Sequence, residues 1–220
     1  MSSSPSSSGA ERPRLDAVVF ADLLSLAMRR YAHRLNNVLT RLGGQLALAE
    51  RDGGDPERFA RRLEKLRADS AELTDVVRQL HLAARSDEEG TERMILAAFE
   101  RELKCLVEAP APGSARVAVR IAEGGAELPV RPGTLRLALL GLSEAWRASA
   151  DAGSTVHLEV SRESGGARFV WSGLADRGVL VENPRHLCGR ALGDAAGWSF
   201  EIEEAPEGIR EVLFVPEAAL

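Results

Sequence analysis

Two runs of apolar residues spaced alternately by three and four, with a short break between them, constrain the fold more than any other feature. This spacing lines up apolar side chains along one stripe of an α-helix. In the break, Gly53-Gly54 ends one helix, and Asp55 and Pro56 begin the next as N-cap and first helical residue. The stripes consist of Leu24, Met28, Tyr31, Leu35, Val38 and Leu42, and of Phe59, Leu63, Leu66, Ser70, Leu73, Val77, Leu80 and Ala84.

The pattern predicts an antiparallel helical hairpin within residues 15–88. A single hairpin buries only one stripe on each helix, whereas two hairpins packed together bury both stripes. We therefore predict a homodimer held by a four-helix bundle. Gly43 and Gly44 lie inside the first helix, where they either kink it or let a partner helix come close.

The rest of the chain has a different composition and a different hydrophobic pattern. Residues 1–14 are rich in serine and predict a disordered tail. Residues 89–220 alternate strands with helices, which predicts an α/β sandwich and makes the whole chain α+β. The predicted strands are Arg116–Ile121, Val156–Ser161, Arg168–Trp171, Ser199–Glu203 and Glu211–Val215, and the predicted helices are Thr91–Val107, Thr134–Ala150 and Arg185–Ala196.

Charge and composition exclude several functional classes. The chain of 220 residues carries 33 acidic against 28 basic residues, and this net charge of −5 argues against nucleic-acid binding. No apolar run reaches the roughly 20 residues that span a bilayer. Cys105 and Cys188 lie far apart, which suits a reducing compartment and predicts a cytoplasmic protein. No cluster has metal-ligand spacing, so we expect no intrinsic metal site.

His33 is the residue with the strongest case for chemistry. With Met28 and Tyr31 on the apolar stripe, His33 falls on the opposite face of the first helix, toward solvent. Asn37 and Arg30 share that face, four residues after and three residues before the histidine. We expect His81, His157 and His186 to be structural or incidental.

Three segments resemble two-component histidine kinases. The string Ala32-His33-Arg34-Leu35-Asn36-Asn37-Val38-Leu39 resembles the family's phosphoacceptor box. Leu135–Ser149 resembles the N-box helix of the kinase ATP-binding domain, and Leu187–Pro216 resembles the end of that domain. The resemblance implies a Bergerat-like sandwich for the second half of the chain.

The chain departs from the family at the nucleotide site. Ala145 stands where the resemblance implies a magnesium-binding asparagine, and Ser172 stands where it implies the adenine-binding aspartate. The segment before the last helix is too short for a glycine-rich lid. We therefore expect a degenerate domain that binds no ATP and needs no intrinsic cofactor. Nearby Glu144 is expected to be solvated.

A retained histidine box beside a degenerate kinase domain resembles the dimeric histidine phosphotransferases of the ChpT type. This implies that His33 is the phosphoacceptor between receiver-domain aspartates, with a hybrid histidine kinase upstream and Mg²⁺ supplied by the receiver. Arg34, Arg30 and Arg41 would flank the phosphoryl group, and Asn37 would bond to it or orient water. Whether the chain is an enzyme stays open. The alternatives are a non-catalytic scaffold that binds a response regulator or kinase, and an active histidine kinase.

Overall fold

An N-terminal helical hairpin is followed by a five-stranded sheet and its covering helices. The computed structural model describes residues 16–84, 92–108, 114–122, 127–130, 132–206 and 208–217. The predicted tail, residues 1–14, lies outside the described residues, as does Glu207 in the turn before the last strand. None of the described helices is long and apolar enough to cross a membrane.

The hairpin consists of α1, Ala17–Arg51, and α2, Pro56–Ala84. Asp16 caps α1, since its Oδ1 accepts from the backbone nitrogen of Val18 at 2.8 Å. Asp55 caps α2 in the same way, accepting from the nitrogens of Glu57 and Arg58, both at 3.1 Å. The first helix therefore ends and the second begins where the sequence predicts. The helix α1 continues without interruption through Gly43 and Gly44.

Burial within the hairpin follows the predicted stripes only in part. Val38 is fully buried in α1. Among the described side chains of α2, Val76 is fully buried, whereas Val77 on the predicted stripe is 51% exposed. Phe59 and Leu63 keep 39% and 38% of their surface exposed. One neighbouring helix covers only part of a heptad stripe, so the remaining apolar surface of α2 stays open within a single chain.

The sheet domain is built from the remaining elements. In chain order they are β1 (Glu92–Ile95), α3 (Leu96–Val107), β2 (Arg116–Ile121), β3 (Glu127–Val130), α4 (Pro132–Ser149), β4 (Thr155–Glu163), β5 (Gly166–Gly173), α5 (Arg177–Glu182), α6 (Pro184–Ala195), β6 (Ser199–Ala205) and β7 (Gly208–Pro216). The five-stranded sheet has the order β2-β4-β5-β7-β6, in which β2 and β4 are parallel and the other neighbours antiparallel. The core lies between one face of this sheet and α3, α4 and α6.

All five predicted strands are present, and the α+β architecture is confirmed. The predicted helix Thr91–Val107 is wrong at its start, because Glu92–Ile95 forms β1 and pairs with β3 in a separate two-stranded sheet. That pairing joins residues about 35 apart, so a local helical pattern could not reveal it. The short elements β3 and α5 were not predicted.

The first half of α1 is part of the core of the sheet domain. Leu23, Ala27 and Tyr31 are all buried in the same cluster as the sheet residues Phe169 and Leu213. Burying a leucine or an aromatic side chain contributes about 1.5–3 kcal/mol. This helix therefore belongs to both parts of the chain, with the hairpin at its C-terminal end and the sheet domain at its N-terminal end.

Candidate functional site

His33 lies in the middle of α1 with its imidazole exposed, on the face that the heptad predicts. Asn37 lies one turn further along, and its amide nitrogen is 3.3 Å from Nε2 of His33. In the tautomer that carries its proton on Nδ1, Nε2 accepts a hydrogen bond from this amide. His33 is thus an exposed imidazole whose Nε2 lies beside Asn37.

Arg34 and Arg41 point from α1 toward α2. Nε of Arg34 is 3.3 Å from Oε1 of Glu72, and Nε of Arg41 is 3.1 Å from Oδ1 of Asp69. Arg41 also donates to Oε2 of Glu72, and its bond to Asp69 raises the pKa of the Arg41 guanidinium. Only 10% of the Arg34 side chain is exposed, against 47% for Arg41. Both arginines tie the two helices together, as charged g positions do in coiled coils.

Arg30 points away from the hairpin, toward the sheet domain. Its Nη2 is 2.8 Å from Oε1 of Glu144 on α4, and its Nη1 donates to the carbonyl oxygen of Leu106 at the end of α3. The Arg30 side chain is 10% exposed and the Glu144 side chain 11%. Three residues before His33, α1 is therefore tied to two helices of the sheet domain.

Glu144 is the centre of a charge cluster that we call the α1–α4 cluster: Asp22, Arg30, Glu144, Arg147 and Arg185. Nη1 of Arg147 is 2.8 Å from Oε1 of Glu144, and Nη1 of Arg185 is 3.5 Å from its Oε2. Arg185 also reaches back to α1, with Nη2 2.7 Å from Oδ2 of Asp22. Burial lowers the pKa of the Arg147 guanidinium. The expectation that Glu144 is solvated is wrong, because three guanidinium groups surround it.

A second buried network lies under the same stretch of α1. The hydroxyl of Tyr31 donates to Oε1 of Glu102 at 2.6 Å, and Arg136 binds both oxygens of that carboxylate, at 2.5 and 3.0 Å. Tyr31 is fully buried. Burial first, and then the Glu102 charge, raises the pKa of the Tyr31 phenol well above its ordinary value.

Of the two positions expected to have lost a nucleotide ligand, Ala145 lies in packed core, whereas Ser172 on β5 is partly exposed. Ala145 and Trp146 are fully buried on α4, and Nε1 of Trp146 donates to Oε2 of Glu211 at 2.7 Å. The other oxygen of Glu211 is 2.7 Å from Nε2 of His186, whose side chain is also buried. Nε1 of Trp171 donates to Ser143 Oγ at 3.1 Å.

The Trp146–Glu211–His186 network escaped the sequence analysis, although one signal was available. Glu211 occupies an inward-facing position of β7, beside the buried residues Ile209 and Leu213. An acidic residue in such a position needs a buried partner. Within the part of the chain that the structure describes, no group of three or more His, Cys, Asp or Glu side chains could hold a metal ion. Cys105 and Cys188 are both free thiols.

The sheet domain and hairpin are similar to solved histidine kinase structures. The histidine kinase AdeS of Acinetobacter baumannii matches with a TM-score of 0.46 and 13% identity, over 85% of this chain and 98% of that chain. The catalytic domain of histidine kinase ThkA matches with a TM-score of 0.46 and 9% identity, over 59% of this chain and 97% of that one. The cytoplasmic segment of histidine kinase QseC matches with a TM-score of 0.43 and 14% identity, over 67% and 94%. No protein-family model and no curated protein matches the chain.

Proposed function

We propose that this chain is a histidine phosphotransferase, in which Nε2 of His33 carries a phosphoryl group between receiver-domain aspartates. The Nε2 lone pair attacks the phosphorus of an aspartyl phosphate, so that an N–P bond forms as the P–O bond to the carboxyl group breaks. The electron pair of that bond leaves with the aspartate, and the ring proton stays on Nδ1. The reverse reaction on a second receiver returns His33 to its neutral form.

The observation that carries this proposal is the exposed position of the imidazole beside Asn37. It is exposed on a long helix, its Nε2 accepts from Asn37, and its helix is fixed to the sheet domain three residues earlier through Arg30. Transfer between two phosphoryl linkages depends mainly on positioning and charge neutralisation. A helix that is fixed on the sheet domain and presents an exposed imidazole meets the first requirement.

The three arginines divide into two roles in this proposal. Arg30 and Arg34 are held by Glu144 and Glu72 with 10% of each side chain exposed, so we assign them the positioning of α1. Arg41 is 47% exposed and lies eight residues from His33, about 12 Å along the helix axis. We assign Arg41 the contact with the receiver.

The sheet domain takes part in this reaction as a support rather than as a kinase. Ala145 offers no side-chain ligand for a nucleotide-bound metal, and its neighbour Trp146 is locked into the core by Glu211. In the proposed reaction Mg²⁺ comes bound to the receiver, and the chain uses no cofactor of its own.

We assign the homodimer to the open apolar side of the hairpin. Large apolar side chains that a second hairpin would bury are 38% to 54% exposed: Leu39, Leu46, Phe59, Leu63 and Val77. Replacing Leu46 and Val77 together by arginine should convert the protein to monomers in light scattering, without loss of helix content. A dimer that survives this change would place the interface elsewhere.

The test of phosphotransfer compares His33→Ala with His81→Ala, which removes another exposed helical histidine. Each protein is incubated with radiolabelled Mg²⁺-ATP, and separately with phosphorylated receiver domains. We expect acid-labile label only from the receivers, and only on wild type and His81→Ala. All three proteins should remain equally folded and equally dimeric.

Two results would replace the proposal by its alternatives. Label from ATP alone would identify an active histidine kinase. If no receiver labels the wild-type chain while the receivers still bind it in pull-downs, the chain is a scaffold and His33 has no role in group transfer.

A further inference from the structure

The end of the hairpin carries a concentration of positive charge that nothing in the phosphotransfer proposal uses. A groove of about 640 Å³ lies where α1 ends and α2 begins, and we call it the tip groove. Its lining includes the basic side chains Arg51, Arg58, Arg61, Arg62 and Lys65, together with Asp52 and Glu64. Five basic against two acidic side chains contrast with the net charge of −5 of the whole chain.

The position of these charges opposes the local electrostatics of the helix. Arg58 lies in the first turn of α2, where the helix dipole is positive and favours acidic side chains. The spacing of Arg58, Arg61 and Lys65 also places like charges on successive turns, which destabilises a helix. Glu57 and Glu64, four residues before and three residues after Arg61, offset part of this repulsion.

Only part of this charge is neutralised within the chain. Arg58 pairs with Asp55 at 3.0 Å, Arg62 with Asp52 at 3.3 Å, and Arg51 with Asp52 at 3.8 Å. Among the described residues, no carboxylate oxygen lies within ion-pair distance of Arg61 or Lys65, and Nε of Arg61 reaches only the carbonyl oxygen of Glu57, at 3.4 Å. The side chains of Arg51 and Arg58 are 74% and 65% exposed. Most of the positive charge thus faces solvent.

The arrangement of the charges favours an extended ligand. Arg58, Arg61 and Lys65 form a stripe that spans about 10 Å along α2. A single phosphate group would contact one or two of these side chains and leave the others without a partner. A helix with acidic residues three, four and seven positions apart repeats at the same spacing and can pair with the whole stripe.

We propose that the tip groove docks an acidic helix of a partner protein. Arg58, Arg61 and Lys65 form the contact stripe, and Arg51 contributes from the end of α1. The groove lies 18 residues from His33, about 27 Å along α1, so docking there leaves the imidazole accessible. The proposal depends on neither the phosphotransfer reaction nor the dimer.

The test reverses the stripe and compares it with an equal change of charge elsewhere. The tip variant is Arg58→Glu/Arg61→Glu/Lys65→Glu, and the control variant is Arg101→Glu/Arg116→Glu/Arg162→Glu, which alters three exposed arginines of the sheet domain. The probe is a fluorescent helical peptide with glutamate at every third or fourth position, titrated at low ionic strength. Inorganic pyrophosphate and phosphatidylglycerol vesicles are titrated in parallel.

We expect the tip variant to bind the peptide at least about tenfold more weakly than wild type, and added salt to weaken wild-type binding. The control variant and His33→Ala should bind within about twofold of wild type. The tip variant should keep the helix content of wild type in circular dichroism, so that a loss of peptide binding is not a loss of fold.

Three outcomes overturn the proposal: no peptide binding by the wild type, equal losses in the two triple variants, or tighter binding of pyrophosphate or vesicles than of the peptide. The first two would leave the groove as solvated surface. The third would reassign it to a free phosphate compound or a lipid headgroup. This experiment measures peptide binding, whereas the phosphotransfer test measures acid-labile label on His33. Failure of one proposal is therefore distinguishable from failure of the other.

Discussion

The amide of Asn37 donates to Nε2 of His33 across 3.3 Å, one helical turn away on the exposed face of α1. The bond forms in the tautomer that carries its proton on Nδ1. It also keeps the ring from rotating freely about its bond to the helix. Asn37 therefore orients the nitrogen that the proposed reaction uses. Substituting Asn37 tests this orientation while His33 itself is kept.

Asn37→Asp should impair phosphotransfer more than Asn37→Ala. Alanine removes one hydrogen bond worth about 1 kcal/mol, which corresponds to a loss of about fivefold in the single-turnover rate. Aspartate cannot donate, and it instead accepts from the ring, placing the proton on Nε2. Nitrogen NMR of the imidazole reports this tautomer directly. Asn36→Ala, beside it on the exposed surface, should leave both readouts unchanged, and an aspartate variant faster than the alanine variant would contradict the role assigned to Asn37.

Arg30→Met should destabilise the protein much more than Arg41→Met. Each arginine contacts two acceptors. The loss of Arg30, however, removes a partner from Glu144, whose side chain is only 11% exposed. Because Glu144 keeps Arg147 and Arg185, losing the charged hydrogen bond from Arg30 costs about 1.5–3 kcal/mol, whereas an exposed pair contributes about 0–1 kcal/mol. Urea unfolding followed by circular dichroism measures both values. Equal losses would mean that the α1–α4 cluster does not anchor the helix.

Gly141→Ala should destabilise the protein, whereas Gly44→Ala should stabilise it. A Cβ at residue 141 would lie 2.8 Å from the carbonyl oxygen of Arg185 and 3.1 Å from Cδ1 of Leu23, forcing α4 away from α6 and α1. Such crowding costs about 1–3 kcal/mol. A Cβ at residue 44 meets no atom within 4 Å, and alanine favours the helix by about 1 kcal/mol.

Thermal unfolding of the two variants measures the expected loss of stability at residue 141 and the expected gain at residue 44. The Gly44 variant also tests whether a partner helix comes close to α1 at this glycine. If Gly44→Ala raises the unfolding temperature yet weakens dimerisation, a helix of the second copy approaches α1 at this glycine. If dimerisation is unchanged, the glycine lies outside the interface.

Alkaline titration should show no tyrosinate until the protein unfolds. Tyr31 is the only tyrosine, so tyrosinate absorbance follows this one phenol. Its pKa in the folded protein is raised, chiefly by burial. Above the ordinary pKa of about 10, the unfolded state releases a proton that the folded state keeps, so stability falls as pH rises. Below that pH the contribution of Tyr31 to stability is fully present and does not change with pH.

The control for this titration is the same protein in denaturant, where the phenol should titrate near pH 10. Tyr31→Phe should remove the loss of stability above that pH, although it also loses the bond to Glu102. Native protein whose tyrosinate signal rises near pH 10 would show that water reaches the Tyr31–Glu102–Arg136 network.

Local patterns predicted the hairpin and the strands because their signals lie within a few residues. The turn at Gly53 to Pro56 is one example, and β2 has the predicted bounds. Contacts between distant residues gave no such signal. Arg30 and Glu144 are 114 positions apart, so the sequence placed Arg30 beside an incoming phosphoryl group rather than against α4. The strand β1 was missed for the same reason, since β3 holds it in place.

The dual role of α1 has a mechanical consequence. Leu23, Ala27 and Tyr31 complete the core of the sheet domain, while Val38 packs in the hairpin, and one uninterrupted helix joins them. A fragment cut after residue 84 would expose the first three residues to water, and a fragment without α1 would open the cavity that they fill. We therefore expect the two parts named from the sequence to unfold as a single cooperative unit, in one thermal transition.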